Sequence, residues 1–163
     1  MKNSTTLIIS TLFIATFGFG QTTYVPDDNF EQALIDLGYD DTLDDYVLTA
    51  NISGVEDLNV MEKEISDLTG IEDFTALTHL QCRVNQLTSL DVSSNTALTY
   101  LQCYTNQLTY LNMRNGITDQ LSSFNAYGNS LTCIETLDPD YATANWTYSN
   151  GNIDAGVTFD VIC

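Results

Sequence analysis

The chain carries one histidine, His79, three residues before Cys82. A Cys–His pair is the first arrangement here that could do nucleophilic chemistry, because a thiol needs a base within hydrogen-bond reach. The flanking residues decide against it. Leu80 and Cys82 alternate with His79, Gln81 and Arg83 in the period of two that an extended strand requires. Residues three apart on a strand face opposite sides, so His79 points to solvent and Cys82 into a core. Ser123 falls in the same outward column as His79 but two strands on, about 10 Å away at strand spacing. Asp57, one strand from His79, can raise its basicity, a pairing that reads as structural or binding. No phosphate loop, dinucleotide fingerprint, zinc spacing or sheltered carboxylate pair is legible. The expectation is a protein that is not an enzyme, with no cofactor and no metal. Asp40, Asp41, Asp44 and Asp45 supply the oxygen atoms that calcium takes but lack the EF-hand spacing and its glycine. They read as a solvated acidic linker, with calcium as the open alternative.

What must position these residues is a repeat. Leu77, Leu80, Cys82, Asn85 and Leu87 recur as Leu98, Leu101, Cys103, Asn106 and Leu108, 21 residues later. A third copy follows 23 residues on as Leu121, Phe124, Ala126, Asn129 and Leu131, and a weaker one precedes by 22 residues as Val55, Leu58, Val60, Lys63 and Ile65. The four units resemble the L-x-x-L-x-L-x-x-N-x-L signature of leucine-rich repeats, in particular those of bacterial, internalin-like exported proteins. Lys63 in the first unit and Phe124 and Ala126 in the last depart from the signature, as terminal repeats adapting to a cap do. The resemblance implies a right-handed leucine-rich-repeat solenoid of the α/β class with mostly parallel strands. It would be closed by a short N-terminal cap helix and a disulfide-bounded C-terminal cap. A fainter half-repeat, Leu87, Leu90, Val92 and Asn95, marks the other side of each unit as extended, so the solenoid should be flat.

Three outward columns follow from the alignment: Asp57, His79, Tyr100 and Ser123; Asn59, Gln81, Gln102 and Asn125; Met61, Arg83, Tyr104 and Tyr127. The middle column is wholly amide. The third sets an Arg beside two Tyr, a grouping suited to cation–π contact and enriched at protein interfaces. His79, Gln81, Arg83, Tyr100, Gln102, Tyr104, Asn125 and Tyr127 are therefore the candidate binding residues, for an unknown protein or peptide. The alternatives are a carbohydrate-contacting or adhesive surface, a structural component of an extracellular assembly, or a face that is only solvated. Asn85, Asn106 and Asn129 stand where the chain leaves each strand, and their carboxamides can satisfy buried backbone groups of neighbouring turns. Asn106 is expected to matter more to stability than Asn95, which belongs to the fainter half-repeat.

The ends are read differently. Phe30, Ala33, Leu34 and Leu37 share one helical face, Asp28 and Glu31 suggest a capping box, and Gly38 a stop; this is expected to be the only substantial helix. After Leu131 the segment turns aromatic, with Tyr141, Trp146, Tyr148 and Phe159, and Pro139 is expected to break any continuing coil. Related repeat proteins look similar here, ending in a Cys-bounded cap, and Cys133 and Cys163 bracket the segment. Closing that loop would stabilise the fold by about 3 to 4 kcal/mol. Cys82 and Cys103 occupy inward positions of consecutive strands, where parallel side chains reach a disulfide dihedral with difficulty, and read as small buried hydrophobes, with a bridge between them as the alternative.

Residues 1–20 carry Lys2, an uncharged run from Leu7 to Phe19, and Gly18-Phe19-Gly20 before Gln21. That is the pattern of a signal peptide; an uncleaved anchor is the alternative. Its removal takes away one base and no acid, so the formal net charge moves from −18 to −19, leaving Lys63, Arg83 and Arg114. Three isolated bases cannot bind a phosphate backbone, which excludes nucleic acid. The expectation is a secreted or cell-surface monomer without membrane insertion, divided into a signal peptide (1–20), an N-terminal helical cap (21–54), about four repeats (55–131) and a C-terminal cap (132–163).

Overall fold

Asp27 starts the first helix. In the computed structural model, which describes residues 20–163, one Asp27 oxygen accepts the Asn29 and Phe30 amides at the head of α1 (Asp28–Asp36). The other accepts the Ser66 amide, the Ser66 hydroxyl and the Asp67 amide. The same carboxylate thus satisfies orphan helix donors and staples the helix to the first repeat. The capping box expected from Asp28 and Glu31 is absent: with the cap at Asp27, Glu31 lies one position too far along and turns inward, where it is fully buried. Its Oε1 accepts the Asp44 and Tyr46 amides, each at 3.0 Å. Gly38, at φ +81°, ends the helix; its amide bonds to Ile35 O and that of Tyr39 to Leu34 O, the paired bonds of a left-handed C-terminal cap. Short strands β1 (Thr22–Tyr24) and β2 (Tyr46–Leu48) pair antiparallel beside the helix, and α2 (Thr49–Ile52) leads on. The predicted export segment lies, all but Gly20, outside the described residues.

From Val55 onward the chain builds two four-stranded sheets in which every pairing is parallel. The first holds β3 (Asp57–Asn59), β4 (His79–Gln81), β6 (Tyr100–Gln102) and β8 (Ser123–Asn125) in that order. The second holds β5 (Ser89–Asp91), β7 (Tyr110–Met113), β9 (Cys133–Thr136) and β10 (Thr158–Asp160). The register puts Leu58, Leu80, Leu101 and Phe124 in one inward row. Leu90, Leu111 and Ile134 are buried from the second sheet. Each such Leu stabilises the fold by about 2 kcal/mol. Residues 87–95 read as extended in the sequence, and Ser89–Asp91 within them form β5 of the second sheet. The 3₁₀ turn Ile71–Asp73 lies between β3 and β4 of the first sheet, and Thr118–Gln120 leads from β7 of the second sheet to β8 of the first.

Asn85, Asn106 and Asn129 form a ladder where β4, β6 and β8 end. The Asn106 carboxamide accepts the Leu87 amide and donates to Cys82 O and Cys103 O, spanning two repeats. Asn129 does the same for Leu108, Cys103 and Ala126. Asn85 accepts two amides, Lys63 and Ile65, and donates to Val60 O and Cys82 O. The residue before each Asn takes positive φ: Val84 at 57°, Thr105 at 56° and Gly128 at 73°. The other side has an asparagine of its own. Asn95 is the more buried asparagine, at 0 % exposure, and donates to Ile71 O and Phe74 O. The half-repeat that is faint in sequence closes as tightly as the strong one.

The C-terminal segment is also more ordered than the sequence suggests. Pro139 does not merely stop a coil; it opens α3 (Pro139–Asn145), whose Tyr141 amide is capped by Asp138. Proline suits the first turn of a helix because its missing N–H is one that the helix leaves unpaired. Trp146 packs on Phe124 at 4.6 Å between ring centroids, with Phe159 at 5.8 Å and Tyr141 at 6.2 Å. Asn152 substitutes for a missing repeat: its side chain donates to Phe124 O and its carbonyl accepts the Ala126 amide, pairing the edge of β8. Cys133 and Cys163 are bridged, while Cys82 and Cys103 are free and buried.

Candidate functional site

Strand parity turns the sides of β3, β4, β6 and β8 opposite to the leucine row outward, and the register stacks them. Asp57, His79, Tyr100 and Ser123 are consecutive partners, as are Asn59, Gln81, Gln102 and Asn125. The third column follows the strand ends, where the amides of Glu62, Val84 and Thr105 donate to the carbonyls of Arg83, Tyr104 and Tyr127. The sheet therefore brings all eight candidate binding residues onto one face.

Two contacts dominate its centre. The His79 and Tyr100 rings lie 5.4 Å apart, with His79 Nδ1 2.9 Å from Thr78 Oγ1. The Arg83 guanidinium sits 5.4 Å over the Tyr104 ring. Its ion pair with Glu62 is long, at 3.9 Å, and a pair of that length at the surface contributes little. The guanidinium is thus held over an aromatic face with its donors available to a ligand. Tyr127, 46 % exposed, extends the aromatic column.

The amide column is less available than its sequence suggests. Gln102 is 9 % exposed and donates to Ser123 Oγ at 3.1 Å. Neighbouring strands, only about 4.8 Å away, cover it. Asn125 Oδ1 is occupied by the Tyr127 amide, and Asn59 Oδ1 by that of Met61. Gln81 remains half-exposed between them. A residue that sequence reasoning missed is Val84, a β-branched side chain 38 % exposed at left-handed φ beside Arg83. The signal was available: Gly128 occupies the equivalent place in the last repeat.

Nucleophilic chemistry finds no support on this face. Burial pushes the Cys82 thiol up to about 12, and burial followed by the neighbouring Cys82 raises Cys103 as well. Among the described residues no group of three His, Cys, Asp or Glu side chains is placed to hold a metal ion. None of their helices is long and apolar enough to cross a membrane.

No family model matches the chain. Internalin J of Listeria monocytogenes serotype 4b (strain F2365) is 36 % identical over 84 residues, covering 49 % of this chain and 9 % of that protein. Among solved structures, the functional domain of InlJ from Listeria monocytogenes, described as including a cysteine ladder, is 31 % identical. Its TM-score is 0.52, over 74 % of this chain and 32 % of that one. An internalin, InlF, from Listeria monocytogenes str. 4b F2365 shares the fold, with TM-score 0.52 and 22 % identity over 71 % of this chain and 33 % of that one. The chain spans less than a tenth of the curated relative and about a third of these solved chains.

Proposed function

From a chain that carries bacterial, internalin-like leucine-rich repeats, we propose an exported binding module that recognises a protein or peptide through the outward face of β3, β4, β6 and β8. Residues 1–20 direct export to the exterior or the cell surface, 21–54 and 132–163 cap a right-handed solenoid, and 55–131 carry the contacts. Recognition, not catalysis, is the activity. Cys82 and Cys103, at equivalent inward positions of consecutive repeats, are the counterpart of the ladder described for InlJ and support the face from beneath.

The observation that carries this reading is the pairing of Arg83 over Tyr104 next to His79 against Tyr100 in the two central repeats. Interface anchors are enriched in Tyr and Arg near the centre of a patch, and truncating one commonly costs about 2 kcal/mol or more. The test is selection of a displayed peptide library on the purified chain. Selected peptides are expected to lose at least about tenfold in affinity, or 1.4 kcal/mol, with Tyr104→Ala. Ser89→Ala, exposed on the opposite sheet, should leave them unchanged. Equal affinity for both variants would place recognition elsewhere. A glycan array that captures the chain through Tyr104, with no peptide enriched, would replace the protein partner by a carbohydrate.

A further inference from the structure

The fold does not treat its cations alike. Against 22 acids, the described residues hold three bases, Lys63, Arg83 and Arg114. Lys63 Nζ meets Asp36 at 3.1 Å. Arg114 engages Asn112 Oδ1, Val161 O and Glu135 Oε2 with its three guanidinium nitrogens. The Arg83 guanidinium, on a side chain only 26 % exposed, makes no hydrogen bond to any described residue: Glu62 Oε1 stops 3.9 Å away, beyond hydrogen-bond reach. The backbone sets the two residues side by side, since the Glu62 amide donates to Arg83 O. Yet Glu62 stands at left-handed φ, +58°, with its side chain 62 % exposed. Arg83 sits instead over the Tyr104 ring, 5.4 Å from its centroid. A ring face attracts the charge and fills none of the five N–H donors. A partly covered cation with every donor open, beside an acid that does not close on it, is a group kept for an anion from outside.

We propose that Arg83 sets the specificity of the binding face by pairing with the side-chain carboxylate of one Asp or Glu, carried by a peptide segment that is otherwise uncharged or basic. This rests on the reading of the outward face as a peptide-binding surface and adds the chemistry of its ligand. A planar guanidinium matches a carboxylate with two parallel N–H donors. The Tyr104 ring holds the fork in place before a ligand arrives, so little side-chain freedom is lost on binding. Charge balance restricts the rest of the segment. Asp57 and Glu62 already lie on or beside the face, the other two described bases are paired, and the chain carries a formal charge of −18. A second acid on the ligand therefore meets repulsion that nothing offsets. The column continues from Arg83 to Met61 in the preceding repeat and to Tyr104 and Tyr127 in the following ones. A bound chain thus runs on in both directions, and the carboxylate comes from a side chain and not from a chain end.

The test selects a displayed random peptide library on the purified full chain and, separately, on Arg83→Gln. Peptides from the parent are expected to carry an Asp or Glu at one fixed position, with no second acid. Replacing that residue by its amide in the synthetic peptide should weaken binding to the parent about tenfold or more, the scale of hydrogen bonds to a charged group. The same replacement should change binding to Arg83→Gln by less than about twofold, the coupling that a double-mutant cycle isolates. Arg83→Lys keeps the charge without the fork and should recover only part of the affinity. Glu62→Gln removes the competing acid and should strengthen the acidic peptide about two- to fivefold, an effect that a merely structural Arg83 would not give. Melting curves check that each variant folds; should Arg83→Gln fail to, Arg83→Lys carries the cycle. Peptides that bind through Tyr104, without acidic preference and without response to Arg83→Gln, would overturn this inference and leave the binding face standing. Affinity lost on amidating the peptide C-terminus, and not on removing the acid, would overturn the side-chain assignment. No peptide enriched on either chain would overturn both readings.

Discussion

Replacing Asn106 and Asn95 in turn, first by Ala and then by Asp, should give opposite orders of damage. Asn95 is the more buried of the two, and burial alone ranks its loss as worse. Counting bonds reverses this for alanine. Asn106→Ala removes three hydrogen bonds and strands the amide of buried Leu87, for which Asn106 Oδ1 is the acceptor. At about 1 kcal/mol for each net bond, and more for a buried donor left unpaired, the loss is about 3 to 4 kcal/mol. Asn95→Ala removes two bonds, yet Ile71 O and Phe74 O keep the Phe74 and Leu77 amides. It also deletes the Asn95 Oδ1 atom, which is enclosed without a partner. The net loss is about 1 to 2 kcal/mol. Aspartate inverts the order. At half-buried position 106 it retains the acceptor for Leu87 and its charge reaches water, a loss of about 2 kcal/mol. At position 95 it buries a carboxylate against two carbonyls, a loss of about 4 kcal/mol or more. Urea unfolding at neutral pH, followed by Trp146 fluorescence, measures all four variants on one scale. Asn95→Ala losing as much as Asn106→Ala, or the same order under both substitutions, would refute the bond-by-bond reasoning.

Thiol counting should find two free thiols in denatured, unreduced protein and almost none reactive in the native state, since Cys133 and Cys163 are bridged and Cys82 and Cys103 are enclosed; four free thiols would contradict the disulfide. Val84→Asn should raise stability by about 1 kcal/mol, because a β-branched residue at φ 57° is strained where asparagine is tolerated; an unchanged or lower melting temperature would refute it. Burial raises the Asp27 carboxyl, but hydrogen bonds from Ser66, Phe30 and Asp67 outweigh it and hold the group below 3.8. Its contribution is therefore present above that value and lost as pH falls through and below it. Asp27→Asn should flatten the acid side of the stability–pH curve, and an unchanged acid limb would count against this assignment.

The pattern of Leu, Cys and Asn determines the repeat, and with it the strand positions, their parity and the alignment of the three outward columns. These are legible because each depends on spacing along the chain: a period near 21 places equivalent residues side by side, and a period of two decides which way they face. His79, Gln81 and Arg83 therefore share a face with Tyr100, Gln102 and Tyr104 whatever the surroundings. The tertiary structure decides everything that depends on which atoms arrive from elsewhere in the chain. Asp27 is the helix cap, instead of Asp28, because Ser66 and Asp67 meet its second oxygen some forty residues away in sequence. Gln102 is covered by its neighbours across the sheet and Asn95 by the turns of the preceding repeat, so two amides with ordinary sequence surroundings become buried. Glu31 reads as a capping residue locally and becomes an enclosed acid only when the Asp40–Asp45 loop folds over it. Burial and hydrogen-bond satisfaction are sums over neighbours in space, and those neighbours do not appear in the local spacing of residues.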